Sequence, residues 1–252
     1  MDNKAYRAEL PGEHARSERA GLARRTRIRQ SAGPGADPGE AMRLFVAIAP
    51  PPAVLDELDA LAAPLRTARQ DLRWTSREAW HVTLAFLGHV NSSAAARLLP
   101  RLERAAQRHR RFRLAFSGAG AFPAQARANV LWSGLSGDRG ALARLAQSVA
   151  AGASRAGAPP PDQGRRFQPH LTLARCRLPA DVTEVVAALA GYQGQPWTAD
   201  RIHLVRSQLG ATQPPRYATL ASWPLRAPER PADPADVEAL TACFDYVAER
   251  LA

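Results

Sequence analysis

The chain has 252 residues, a formal net charge of +11 and 46% hydrophobic side chains, enough for one large or two small domains with a substantial core. Its two cysteines, Cys176 and Cys243, exclude a disulfide framework and a cysteine-built zinc site, and fit a reducing compartment. No run of about 18 apolar residues exists to span a membrane and the polar N-terminus lacks the apolar middle of a signal peptide, so the cytoplasm is the expected location.

Residues 1–41 are polar and Arg-rich and end in Gly-Pro-Gly-Ala-Asp-Pro-Gly-Glu-Ala, which reads as a disordered or loosely helical extension. Met42 follows as a candidate start of translation and opens the first strand, Arg43-Leu44-Phe45-Val46-Ala47-Ile48. Pro51 and Pro52 suit the first turn of a helix to residue 68, with Val54, Leu55, Leu58, Leu61 and Leu65 at helical spacing. Strands are expected over 71–75 and 80–87, a helix over 94–109, and extended segments over 112–122 and 129–133. A helix over 140–154 precedes a proline-rich loop at 157–168, then a strand over 170–176 and a helix near 181–190. Closing strands are expected over 199–207 and 216–223, and an acidic tail over 227–252 holds one short helix at about 234–251.

Within this alternation two strings nearly repeat each other: Trp80-His81-Val82-Thr83-Leu84-Ala85 and Pro169-His170-Leu171-Thr172-Leu173-Ala174-Arg175. The histidines stand 89 residues apart, each heading His-x-Thr-Leu-Ala. A strand has a side-chain period of two, so each His and its Thr share a face while the apolar partners take the other. The recurrence predicts an α+β fold with an internal duplication about a pseudo-two-fold axis. Two antiparallel sheets would face a central cleft, with helices on the outer faces. Two imidazoles and two hydroxyls in one groove are the makeup of an acid/base site that needs no metal. The charge map fits an anionic substrate: residues 42–226 hold 24 Arg and 11 acids, the extension nets +2 and the tail −4. A composition bias explains the Arg count equally well, since 33 of 34 basic residues are Arg, but not the acid deficit in the same segment.

The paired His-x-Thr strings, the opening strand, Phe167-Gln168 ahead of the second string, and Val205-Arg206-Ser207-Gln208-Leu209 followed by Tyr217-Ala218-Thr219-Leu220 resemble the 2H phosphoesterase superfamily. Within it they are similar to the RNA 2′,3′-cyclic phosphodiesterases, also labelled 2′-5′ RNA ligases. The resemblance covers about residues 42–226. It implies hydrolysis of RNA 2′,3′-cyclic phosphate ends to a 2′-phosphomonoester, with His81 as the acid on the 3′-oxygen and His170 as the base on water. It also implies phosphate binding by Thr83, Thr172 and Arg175, and base stacking by Phe86 and Arg175.

Imidazole, with an ordinary pKa of about 6.5, serves either role near neutrality, and hydroxyls can hold charge on non-bridging oxygens. Arg175 and Phe86 each lie five residues after a motif His, an offset that strict alternation puts on the wrong face. A bulge must turn them into the cleft, and Phe86 reads equally well as core. His89, His109 and His203 read as solvated or structurally satisfied, Trp74 and Trp80 as core, and Arg165 and Arg166 as rim cations.

No phosphate loop, nucleophile elbow or His-Glu-x-x-His helix occurs; no cofactor and no metal are expected. The expected partner is RNA with cyclic phosphate ends, and nothing in the sequence indicates an oligomer, so a monomer is expected. A 2′-5′ phosphodiester hydrolase or reversible ligase would use the same residues, and a non-catalytic RNA-end-binding module is the alternative from another class.

Overall fold

The computed structural model describes residues 41–161, 164, 166–208 and 216–227. All but the last residue of the 1–41 extension, the helix expected at about 234–251, Arg165 and Leu209 lie outside them. The described chain runs β1 (Met42–Ile48), α1 (Pro52–Ala68), β2 (Arg73–Trp74), β3 (Val82–Val90), α2 (Ser92–Arg108), β4 (Phe112–Phe122), β5 (Ala128–Gly137) and α3 (Arg139–Ala156). It continues with β6 (Leu171–Ala180), α4 (Thr183–Leu189), β7 (Trp197–Ala199), β8 (Arg201–Gln208) and β9 (Arg216–Pro224). Within the described residues the expected helices and strands recur in order, and the first closing strand divides at Asp200 into β7 and β8.

All the strand pairings between these elements are antiparallel, as expected, but the two sheets are continuous. They form one nine-stranded curled sheet in the order β7-β4-β5-β6-β3-β1-β8-β9, with β2 beside β6. The two strand sets, β7-β4-β5-β6 and β3-β1-β8-β9, join through a single register pair, Val82 on β3 with Leu171 on β6. Val82 and Leu171 are related by the same offset of 89 that relates the motif histidines, so the pseudo-two-fold axis passes through that pair. The halves also exchange strands. β4 leaves the first repeat to pair with β5, and β8 leaves the second to pair with β1. Neither repeat can therefore complete its sheet alone.

The helices cover one face of the sheet, where Leu44, Val46 and Ile48 of β1 join Leu98 and Leu102 of α2 and Leu142, Leu145 and Val149 of α3 in the main core. Removing such side chains from water is the chief stabilising contribution. Local signals place the helix ends. The Asn91 carboxamide oxygen accepts from the Ala94 N–H at 2.8 Å to cap α2, and Gly157, at φ 84°, closes α3 in the left-handed region. On the opposite face β1 turns Phe45 and Ala47 into a second, smaller apolar cluster with Val205 and Phe86. That face carries both motifs.

Candidate active site

Each motif strand carries the same irregularity. On β3, Thr83 stands opposite Ala47 and Ala85 opposite Val46, so Leu84 is an extra residue in the ladder. On β6, Thr172 stands opposite Trp132 and Ala174 opposite Leu131, so Leu173 is extra in the same way. Both Leu-Ala pairs point into the core, Leu84 and Ala85 at 4% and 7% exposure and Leu173 and Ala174 at 1% and 0%. The bulge resets the alternation. Phe86, opposite Phe45, and Arg175, opposite Val130, thereby return to the face that carries Thr83 and Thr172. The offset of five is thus reconciled with the pleat.

Continuing the register of Val82 and Leu171 sets His81 against Thr172 and Thr83 against His170. The four side chains converge on one cavity of about 110 Å³, whose lining also includes Arg175, Thr75 and Tyr217. In both imidazoles Nδ1 donates to a backbone carbonyl two residues back, at 2.8 Å: Ala79 for His81 and Gln168 for His170. A carbonyl can only accept, so this bond fixes the neutral tautomer and leaves each Nε2 as the reactive nitrogen.

Burial pushes the His81 imidazole down to about 4, with the positive charges that His170 and Arg175 can carry acting in the same direction and the Ala79 carbonyl opposing. His170 is also held below its ordinary value, chiefly by burial and then by Arg175, against the Gln168 carbonyl. Both rings are therefore neutral in the ligand-free chain near pH 7, and an anion in the cavity would pull protons back onto them.

Aromatic neighbours hold the rings. Phe45 stacks on His81 with centroids 4.6 Å apart, and Tyr217 stands edge-on to both at 5.3–5.4 Å. His170 meets Phe122 edge-on at 5.0 Å and Trp132 at 6.1 Å. Trp132 fits because Gly120 lies beneath it: a Cβ there would stand 2.3 Å from the indole ring.

The structure brings His81, His170, Thr83, Thr172 and Arg175 together. Phe86 shares their face but lies outside the cavity lining, with the Arg43 guanidinium 4.9 Å from its ring centroid. Phe45, Phe122, Trp132, Tyr217 and Thr75 were not read as site residues from the sequence. Phe45 carried a signal, being a large aromatic on the face of β1 opposite Leu44, Val46 and Ile48. His203 also falls on the cleft face, opposite Ala47 on the side away from Thr83, and its Nδ1 lies 2.8 Å from the Ser222 hydroxyl. That contact satisfies it structurally, as expected. Among the described residues no three His, Cys, Asp or Glu side chains gather as a metal site would need, and no helix is long and apolar enough to cross a membrane.

A family model described as the 2′-5′ RNA ligase superfamily matches residues 50–211. The chain belongs to this superfamily. Curated relatives named RNA 2′,3′-cyclic phosphodiesterase include one from Aeropyrum pernix, 35% identical over 48% of this chain and 63% of that protein. Another, from Aquifex aeolicus, is 31% identical over 42% of this chain and 55% of that protein. The chain thus spans somewhat more than half the length of these relatives. The apo crystal structure of E. coli LigT, 26% identical, superposes with a TM-score of 0.60 over 74% of this chain and 99% of that one. The LigT protein has also been solved in complex with 3′-AMP. The superfamily match takes in both His-x-Thr strings and every residue lining the cavity between them except Tyr217.

Proposed function

We propose that the chain hydrolyses 2′,3′-cyclic phosphates at RNA ends to 2′-phosphomonoesters by paired-imidazole acid-base catalysis. The observation that carries this reading is the convergence of two His-Thr pairs and Arg175 on one small cavity, with both Nδ1 atoms anchored and both Nε2 atoms left to react. His170 Nε2 takes a proton from water while the oxygen attacks phosphorus in line with the 3′-oxygen. The P–O3′ bond breaks, and His81 Nε2 delivers a proton to the departing oxygen. The Thr83 and Thr172 hydroxyls donate to the non-bridging oxygens, where charge must be held in the transition state. Arg175 offsets the anion and offers a guanidinium plane for the terminal base. Phe86 is the weaker stacking surface, because an arriving base would have to share the ring with Arg43.

The names of the curated relatives support the reaction class, and LigT's complex with 3′-AMP supports a nucleotide phosphate as the ligand. The superfamily's description favours a second reading, the making or breaking of a 2′-5′ phosphodiester by the same groups. Microscopic reversibility lets one site do either.

The deciding experiment offers the protein an oligoribonucleotide with a 2′,3′-cyclic phosphate, in excess chelator, and identifies the product isomer by phosphorus NMR. A 2′-phosphate accumulating with turnover is the expected result. An exclusively 3′-phosphate product would reverse which oxygen departs. Binding without turnover would leave an RNA-end-binding module instead, and turnover only after a divalent ion is restored would overturn the two-imidazole mechanism.

A further inference from the structure

A larger concavity, about 660 Å³, lies away from the cavity, in the groove between α2 and α3. The two helices run antiparallel. Arg97 Nε of α2 donates to the Ala156 carbonyl at 3.1 Å near one end, and His109 Nε2 lies 2.8 Å from the Ser148 hydroxyl near the other. Between them the buried Gly152 packs against Arg101, where an added Cβ would make only ordinary contact with the Arg101 Cβ at 3.5 Å. Small residues floor the groove, and five guanidiniums wall it: Arg101, Arg104 and Arg108 from α2, Arg144 and Arg155 from α3. Among the described residues no carboxylate lines it. Glu103 is the one acid in α2, and α3 has none.

The spacing costs the free helix something. Arg97 and Arg101, and again Arg104 and Arg108, stand four residues apart, where like charges repel. Arg144 across the groove and the adjacent Arg108 bear on His109, whose imidazole is held below its ordinary value by burial first and then by these two charges. A surface built for stability would interleave acids here. This one gathers five exposed or half-exposed guanidiniums about one furrow.

We propose that this groove binds the sugar-phosphate backbone of RNA, a second binding surface on the helical face, opposite the face that carries the cavity. The inference rests on the reading of the substrate as RNA. Guanidinium groups fork onto phosphate oxygens. One helical turn is about 5.4 Å, so Arg101, Arg104 and Arg108 form a ladder of cations that a chain of regularly spaced phosphates can follow. An isolated phosphate or nucleotide engages only part of that ladder. The groove therefore favours long RNA over mononucleotides without touching the reacting atoms.

The test is direct binding of a labelled oligoribonucleotide with a plain 3′-hydroxyl, followed by anisotropy across a salt series. The full chain is compared with the triple variant Arg104→Ala, Arg108→Ala, Arg144→Ala, all at exposed positions. We expect a loss of affinity of tenfold or more and a salt slope flatter by about 2, at roughly 0.7 for each single-strand phosphate that is no longer neutralised. The matching Lys triple should keep the slope, and hydrolysis of a cyclic mononucleotide should be unchanged in both triples. Because this RNA carries no cyclic phosphate, its binding is independent of whether the chain turns over cyclic ends. Unchanged RNA affinity and slope in the Ala triple would overturn the proposal. So would an equal loss of mononucleotide turnover, or binding to anionic vesicles where RNA fails to bind.

Discussion

His81 and His170 head the same pentapeptide pattern on strands with the same bulge, and each anchors Nδ1 on a carbonyl two residues back. Their surroundings differ. His81 stacks on Phe45 and meets Tyr217 of β9 edge-on, with the small Ala47 opposite Thr83. His170 has Phe122 at its edge and the large Trp132 beside Thr172. Deeper burial, then the positive charge that His170 and Arg175 can carry, drives His81 down to about 4, and His170 is depressed by burial with one fewer positive neighbour acting on it. Duplication supplied two equivalent positions in one cavity, and their different surroundings bury the two imidazoles unequally. A single site can then hold one imidazole as acid and the other as base.

The largest expected effect breaks the pair. His81→Ala and His170→Ala should each lower kcat by about 10²–10⁴, measured on a cyclic-ended oligonucleotide under single-turnover conditions. Because both act in one transition state, the double variant should lose less than the product of the two. Wild-type turnover in either single variant would show that the halves are not partners.

Next come the hydroxyls. Thr83→Ala and Thr172→Ala should each cost about 10–10³ in kcat, the range for an oxyanion donor, with KM changed less. Since each Thr faces the other strand's His across the axis, losses of similar size would mean the phosphate sits near the axis. A one-sided loss would place it within one half.

Much of this was legible in the sequence because the duplication was. The recurrence of His-x-Thr-Leu-Ala named the four central side chains, and the offset of Arg175 and Phe86 demanded a bulge that both strands possess. What stayed hidden depends on strands distant in the chain. Tyr217 reaches His81 because β9 follows β8, which crosses into the other half, a pairing no local pattern announces. Trp132 and Gly120 read as an ordinary aromatic and an ordinary glycine, and only the β4–β5 register makes one the seat of the other. The fusion of two sheets into one rests on a single residue pair, below what periodicity can detect. The three-residue β7 ran into β8 because Trp197-Thr198-Ala199-Asp200-Arg201 has no turn signal of its own.

The pH profile sharpens the comparison further. Both folded-state values lie below the ordinary 6.5, so near pH 7.5 the free protein is mostly doubly neutral, and the singly protonated form grows as pH falls. The profile of kcat/KM, which reports the free protein, should rise from pH 8 toward 6 by up to about tenfold per unit. It should fall again on the acid side as His81 protonates near 4. Stability follows the same sign: the contribution of a depressed imidazole is complete above 6.5 and is lost as pH falls through about 4. Bound phosphate raises both values, so the kcat profile should be displaced to higher pH. Superimposable profiles would mean that the phosphate does not bear on the imidazoles.

The smallest effect addresses which imidazole carries the proton. In the free chain burial holds His81 down at about 4, yet departure of the 3′-oxygen assigns it the acid's part. The two agree if the bound phosphate lifts His81 more than His170. Phe45→Leu removes the stacked ring and admits water to His81, so its value should climb toward 6.5 while His170 stays where it is. The acid limb of kcat/KM should then move up by less than about one unit, with kcat at pH 7 altered only a few-fold. Phe122→Leu does the same for His170 and should move the other limb, the one that falls toward alkaline pH. Two variants displacing opposite limbs would tie each aromatic to one proton. If both displaced the same limb, the protons would belong to the coupled pair, and the unequal aromatic settings would govern packing rather than the division of labour.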